Sequence, residues 1–126
     1  MHSDSVAVPT YTLYRRGIEL LEDGDFRHAT EPLAEAARRE PEKTSVREAL
    51  GRAYFRSRQY EEAAVEFAAV VERAPTNDYA LFCLGRSLQQ LGRHTEARKP
   101  LALACCLRPE RADYRLYRDR ARAKAA

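Results

Sequence analysis

The sequence predicts an all-α solenoid, and three residue types predict it with one period. Gly17, Gly51 and Gly85 stand 34 residues apart. Ala29, Ala63 and Ala97 keep the same step, and so do Pro41, Pro75 and Pro109. One period carried by unrelated residue types marks stacked repeats, each a supersecondary unit that buries its apolar face on its neighbours.

Each repeat reads as two helices, counted from Thr10, Thr44 and Asp78. The first carries Leu13 and Leu20, then Leu50 and Tyr54, then Leu81, Leu84 and Leu88. Spacings of three, four and seven put these on one helical face. Glycines near the helix ends, as at Gly24 and Gly92, break the run cheaply. The second helix starts near Phe26, Tyr60 or His94. Its core face reads Ala29, Leu33, Ala36; Ala63, Phe67, Val70; Ala97, Leu101, Ala104. The small residue, with the glycine of the first helix, lets two backbones approach where the pair crosses. Proline then ends each second helix, because the residue before it is pushed out of the helical region. Pro32 and Pro100 recur at one place inside the second helix, where a bend on the outer face is expected; repeat two has Glu66 there.

The ends differ from the middle. A terminal repeat needs polar residues on its bare face. The neighbour-facing places of the first helix are Val46 and Ala53 in repeat two, Ala80 and Ser87 in repeat three, but Thr12 and Glu19 in repeat one. Repeat one is therefore expected to begin the stack. A last helix over 112–126 offers Tyr114 and Ala121 to repeat three, with Arg115, Arg118, Asp119 and Arg122 left to water. It is expected to cover the end of repeat three, including Leu103 and Leu107. The organisation expected is a tail over 1–9, repeats over 10–43, 44–77 and 78–111, and a capping helix over 112–126, making one complete domain.

This pattern resembles the tetratricopeptide-repeat (TPR) family over residues 10–111. The glycine, alanine, large-apolar and proline places agree, while Leu13, Arg47 and Leu81 stand at the tryptophan-like place. The resemblance implies a right-handed superhelix of three helix-turn-helix repeats, and a protein-interaction module in place of an enzyme.

Composition narrows the function without naming a partner. The net charge of +3 is too mild to argue for nucleic acid. The cationic residues are nineteen arginines and three lysines, a bias expected of a GC-rich bacterial genome. Met1–Pro9 has no basic start followed by an apolar run, and no stretch is long enough to span a membrane, so a cytoplasmic setting is expected. Cys83, Cys105 and Cys106 read as small buried hydrophobes. His2, His28 and His94 are scattered, and no metal-ligand spacing, nucleophile elbow or phosphate loop is present. No cofactor is expected.

In the family, the first helices line a concave groove. The resemblance places Tyr11, Tyr14, Arg15, Ile18, Leu21 and Glu22 there from repeat one. Repeat two supplies Ser45, Glu48, Ala49, Arg52, Phe55 and Arg56, and repeat three supplies Tyr79, Phe82, Cys83, Arg86, Gln89 and Gln90. Aromatics with arginine make the composition of binding hot spots. Four arginines against Glu22 and Glu48 suit an acidic peptide with apolar anchors. The set expected to touch a partner is Tyr11, Tyr14, Ile18, Glu48, Arg52, Phe55, Arg56, Tyr79, Phe82, Arg86 and Gln89. The family's carboxylate clamp for chaperone C-termini needs lysine, asparagine and arginine where Tyr14, Ile18, Ala49, Tyr79 and Cys83 stand, so that ligand is not expected. The alternative function is a homodimeric scaffold without a peptide ligand. Arg115, Arg118, Arg120, Arg122 and Lys124 could meet phosphates, but they equally solvate a helix end.

Overall fold

The computed structural model describes residues 8–125. His2 and most of the expected tail lie outside them. The helices are α1 (Thr10–Glu22), α2 (Phe26–Arg39), α3 (Thr44–Arg56), α4 (Tyr60–Arg73), α5 (Asp78–Gln90), α6 (His94–Leu107) and α7 (Ala112–Ala125). No strand occurs among the described residues. Each helix packs on the next in the chain, and first helices also meet, α1 with α3 and α5 with α7.

The turn inside each repeat is one hydrogen-bonded motif used three times. After α1, Asp25 N donates to Leu20 O at 2.8 Å and Gly24 N to Leu21 O at 3.1 Å. After α3, Gln59 N donates to Tyr54 O at 2.8 Å and Arg58 N to Phe55 O at 3.0 Å. After α5, Arg93 N donates to Leu88 O and Gly92 N to Gln89 O, both at 2.9 Å. This closure satisfies orphan carbonyls at a helix end and requires a left-handed residue. Gly24 and Gly92 supply it with φ of 82° and 76°, and in repeat two Arg58 is forced to 65°. Side-chain caps help the next helices: Asp25 accepts from His28 N at 3.4 Å, and Asn77 from Ala80 N at 3.0 Å.

The second helices end on Glu40, Ala74 and Arg108, each with φ near −130° and ψ of 71–77°. Each precedes a proline, which explains the common stop.

The core is the predicted one. Ala29, Leu33, Ala36, Ala63, Phe67, Val70, Ala97, Leu101 and Ala104 are fully buried. The glycines sit against it. A Cβ built on Gly17 would lie 2.3 Å from Leu33 Cγ, and one on Gly85 2.4 Å from Leu101 Cγ. Glycine is needed there for closeness of approach rather than for backbone freedom.

Three expectations need correction. Pro100 is buried and Pro32 half-buried, so this register is not an outer face. Pro32 instead shares a cavity wall with Leu13 and Leu20 of α1. In repeat two the same two places hold Arg47 and Glu66, joined in an ion pair. Leu103 and Leu107 stay 40% and 39% exposed with α7 in place. α7 covers other atoms: Tyr114 packs with Leu81, Ala104 and Cys105, and Ala121 with Leu88, Ala97 and Leu101. Cys106 is exposed and Cys83 half-buried; only Cys105 fits the reading of a buried hydrophobe. At the other end, Glu19 is exposed and Thr12 half-buried.

Candidate functional site

Two clusters form along the first helices, and seven of the eleven expected contact residues divide between them. The first is a cavity of about 440 Å³ between α1, α3 and α5. Arg52, Phe55, Arg56 and Tyr79 line it, with Glu22 as its carboxylate and Phe26 and Phe67 among its apolar walls. Local helix geometry gathers them. Arg52, Phe55 and Arg56 follow an i, i+3, i+4 step on α3, so they share a face.

Their packing fixes them. The Phe55 ring meets Tyr60 edge-on, with centroids 5.2 Å apart. The Arg56 guanidinium lies 4.2 Å above the Phe26 ring. Such a cation–π contact holds the charge at the cavity rim while its other edge stays free to donate. Arg52 is exposed and has no carboxylate partner among the described residues. Tyr79 is 37% exposed, yet burial pushes its hydroxyl pKa up, and the Cys83 thiol adds to this. Burial pushes the Cys83 thiol up to about 12. It therefore stays protonated at neutral pH and is a wall atom, not a nucleophile.

The second cluster lies between α5 and α7. Phe82 stacks on Tyr114 at 4.5 Å between centroids and meets Tyr117 edge-on at 5.7 Å. Arg86 sits 3.9 Å above the Tyr117 ring and 5.9 Å from the Phe55 ring. It also donates to Gln89 Oε1 at 3.0 Å, and Gln89 donates to the Tyr117 carbonyl at 2.8 Å. Phe82, Arg86 and Gln89 are thus already occupied in attaching α7.

Of the remaining expected residues, Tyr11, Tyr14 and Ile18 lie apart from both clusters, while Glu48 stands beside the first, its charge acting on Tyr79 and Cys83. Tyr11, 68% exposed, and Tyr14 line a recess of about 180 Å³ with Lys43, Glu40 and Ser45. Ile18 packs against the core of the first repeats. Glu48 accepts a long bond, 3.5 Å, from Asn77. Of the other inward places, Leu21 and Ala49 are buried.

Sequence reasoning gave no groove role to Phe26, Tyr117 or His94, and it read Arg120 and Lys124 only as phosphate-meeting or solvating charges at a helix end. The signal for Arg120 was present: Arg52, Arg86 and Arg120 keep the 34-residue step. No group of acids, histidines and cysteines able to hold a metal ion occurs among the described residues, and no helix there is long and apolar enough to cross a membrane.

Comparison with known proteins agrees with the architecture. Residues 14–78 and 49–114 each match the tetratricopeptide-repeat family model. No curated protein matches the sequence. Among solved structures, MamA from MSR-1 superposes with a TM-score of 0.89 at 26% identity, covering 97% of this chain and 70% of MamA. The first TPR domain of Spaghetti (RPAP3), solved with the HSP90 peptide SRMEEVD, superposes at 0.84 with 18% identity, covering 93% and 94% of the two chains. The second likeness is one of fold alone. Repeat period, helix pairing and glycine-backed crossings lead to the same conclusion as the family match: the chain belongs to the tetratricopeptide-repeat family, a family of protein–protein interaction modules.

Proposed function

We propose that the concave face holds an extended or helical segment of a protein partner, one with acidic residues and apolar anchors. The supporting observation is the cavity between α1, α3 and α5. Phe55, Phe26 and Tyr79 offer apolar surface, and Arg52 and Arg56 line the cavity with Glu22, while the Glu48 charge reaches Tyr79 and Cys83 from beside it. Aromatic and arginine side chains carry most binding energy at such surfaces. The partner is a different acidic segment from the chaperone C-terminus, because Tyr14, Ile18, Ala49, Tyr79 and Cys83 replace the clamp residues.

The test is capture from native cell extract by wild type and by Arg52→Glu/Arg56→Glu. Arg86 is excluded from the pair because it is locked against Tyr117. Exposed changes alter stability by about 0.5 kcal/mol or less, so the variant should fold and lose the partner. A folded variant that keeps every partner moves the site to the outer helices.

A second reading is self-association. Leu116, 46% exposed, stands on α7 away from Tyr114 and Ala121, where a further repeat would stack. A monomer by light scattering at micromolar concentration removes this reading.

A further inference from the structure

We infer that the groove continues past repeat three and ends in a second, anion-accepting pocket between α5 and α7. This rests on the groove reading above and extends it. The pocket has a volume of about 340 Å³ and is lined by Arg86, Gln89, His94, Tyr117, Arg120 and Lys124, together with Ala123.

Repeat geometry places it. Arg120 occupies in α7 the place that Arg52 and Arg86 occupy in α3 and α5. α7 therefore does more than cover repeat three. It presents a first-helix face to the groove and adds a third rung to the arginine ladder. Tyr117 is the spacer: Arg86 lies 3.9 Å from its ring and Arg120 5.1 Å. Contact of both guanidiniums with one aromatic ring favours both cations and keeps them near one cavity.

The charge is uncompensated. Three cations line the pocket and no carboxylate does. Other arginines of α7 meet acids, as Arg118 and Arg122 meet Asp119. Arg120 and Lys124 have no ion-pair partner among the described residues. His94 adds a wall to the pocket, and its ring Nδ1 is buried with no hydrogen-bond partner among the described residues.

The occupant by charge complementarity is an acidic side chain or C-terminal carboxylate of the segment held in the groove. Arg120 and Lys124 would donate charge-assisted hydrogen bonds to its oxygens. The Tyr117 ring would take the attached carbon chain.

The test measures fluorescence anisotropy with two labelled peptides, one alternating leucine with glutamate and its glutamine twin. Arg120→Gln/Lys124→Gln should weaken the glutamate peptide at least about tenfold and leave the glutamine twin unchanged. Arg120→Lys should restore most of the affinity, which a packing role for Arg120 would not allow. Equal weakening of both peptides overturns the inference. So does an unchanged glutamate peptide; if Arg52→Glu/Arg56→Glu still abolishes its binding, the groove reading stands and this pocket alone falls. Failure of wild type to bind the glutamate peptide at millimolar concentration also overturns it, and the groove reading is then decided by partner capture. An oligothymidylate that binds more tightly, and is lost in the same variant, assigns the pocket to phosphate instead.

Discussion

Arg47 Nη1 donates to Glu66 Oε1 at 2.9 Å, with side chains only 23% and 13% exposed. In repeats one and three the same two places hold Leu13 with Pro32 and Leu81 with Pro100. One crossing point in the solenoid is thus apolar twice and ionic once. Desolvation by burial pushes the Glu66 pKa up, although Arg47 pulls against it. Removing one partner leaves a charge poorly solvated, whereas replacing both is often neutral or stabilising. Arg47→Leu alone should destabilise by about 1–3 kcal/mol, and Arg47→Leu/Glu66→Met should recover that loss; denaturant melts of the three proteins check it.

The same carboxyl gives a pH dependence. A folded pKa raised above the ordinary carboxylate value means that Glu66 favours folding while protonated and loses that contribution as pH rises through its folded pKa. Relative to wild type, Glu66→Gln should therefore gain stability as pH rises from the acid range to neutrality. A difference between the two proteins that stays flat with pH contradicts this assignment.

Arg58 carries the backbone conformation that Gly24 and Gly92 carry in the other repeats. A non-glycine residue held there is strained by about 1 kcal/mol or more. Arg58→Gly should raise stability by a fraction of that, because glycine also loses more entropy on folding. Gly92→Val should do the reverse, since a β-branched residue suits that region least. Thermal melts of both variants give the sign.

The glycine crossings should rank by clearance. A Cβ on Gly51 would lie 2.9 Å from the Phe67 ring, against 2.4 Å from Leu101 Cγ for Gly85. Overpacking typically costs about 1–3 kcal/mol, and alanine's better helix propensity returns up to about 1 kcal/mol. Gly85→Ala should lower the melting temperature more than Gly51→Ala, and Gly51→Leu should exceed both. The opposite order would show that the Phe67 ring is the less yielding partner.

α7 is attached through Tyr114, whose ring is fully buried and whose hydroxyl donates to Asp78 Oδ2 at 2.7 Å. Tyr114→Phe should cost about 1 kcal/mol and Tyr114→Ala about 3–5 kcal/mol. Loss of α7 helicity alone, with the three repeats still melting together, would show that the cap is not coupled to them.

Repeat period and core were legible because packing imposes them at every unit. Ala63, Phe67 and Val70 could be placed inside from spacing alone. The groove was legible only in part. Phe82, Arg86 and Gln89 have inward places, but α7 brings Tyr114 and Tyr117 against them, a tertiary pairing that no periodicity announces. Arg120 was grouped with the solvating or phosphate-meeting charges of α7, not with the groove, for a related reason: α7 reads as a solvated end, and its ninth place looks like one arginine among several. The Pro32 and Pro100 register was misplaced because its partner lies on the first helix, at Arg47 in the repeat where the contact is polar.

The central claim is that a protein partner lies in the groove between α1, α3 and α5. Its most direct test is photo-crosslinking in cells, with a benzoylphenylalanine at Tyr79 or, on the outer face of α4, at the exposed Val65. The account predicts a discrete protein adduct from position 79 that Arg52→Glu/Arg56→Glu removes, and none from position 65. Adducts from position 65 with none from position 79 would contradict it.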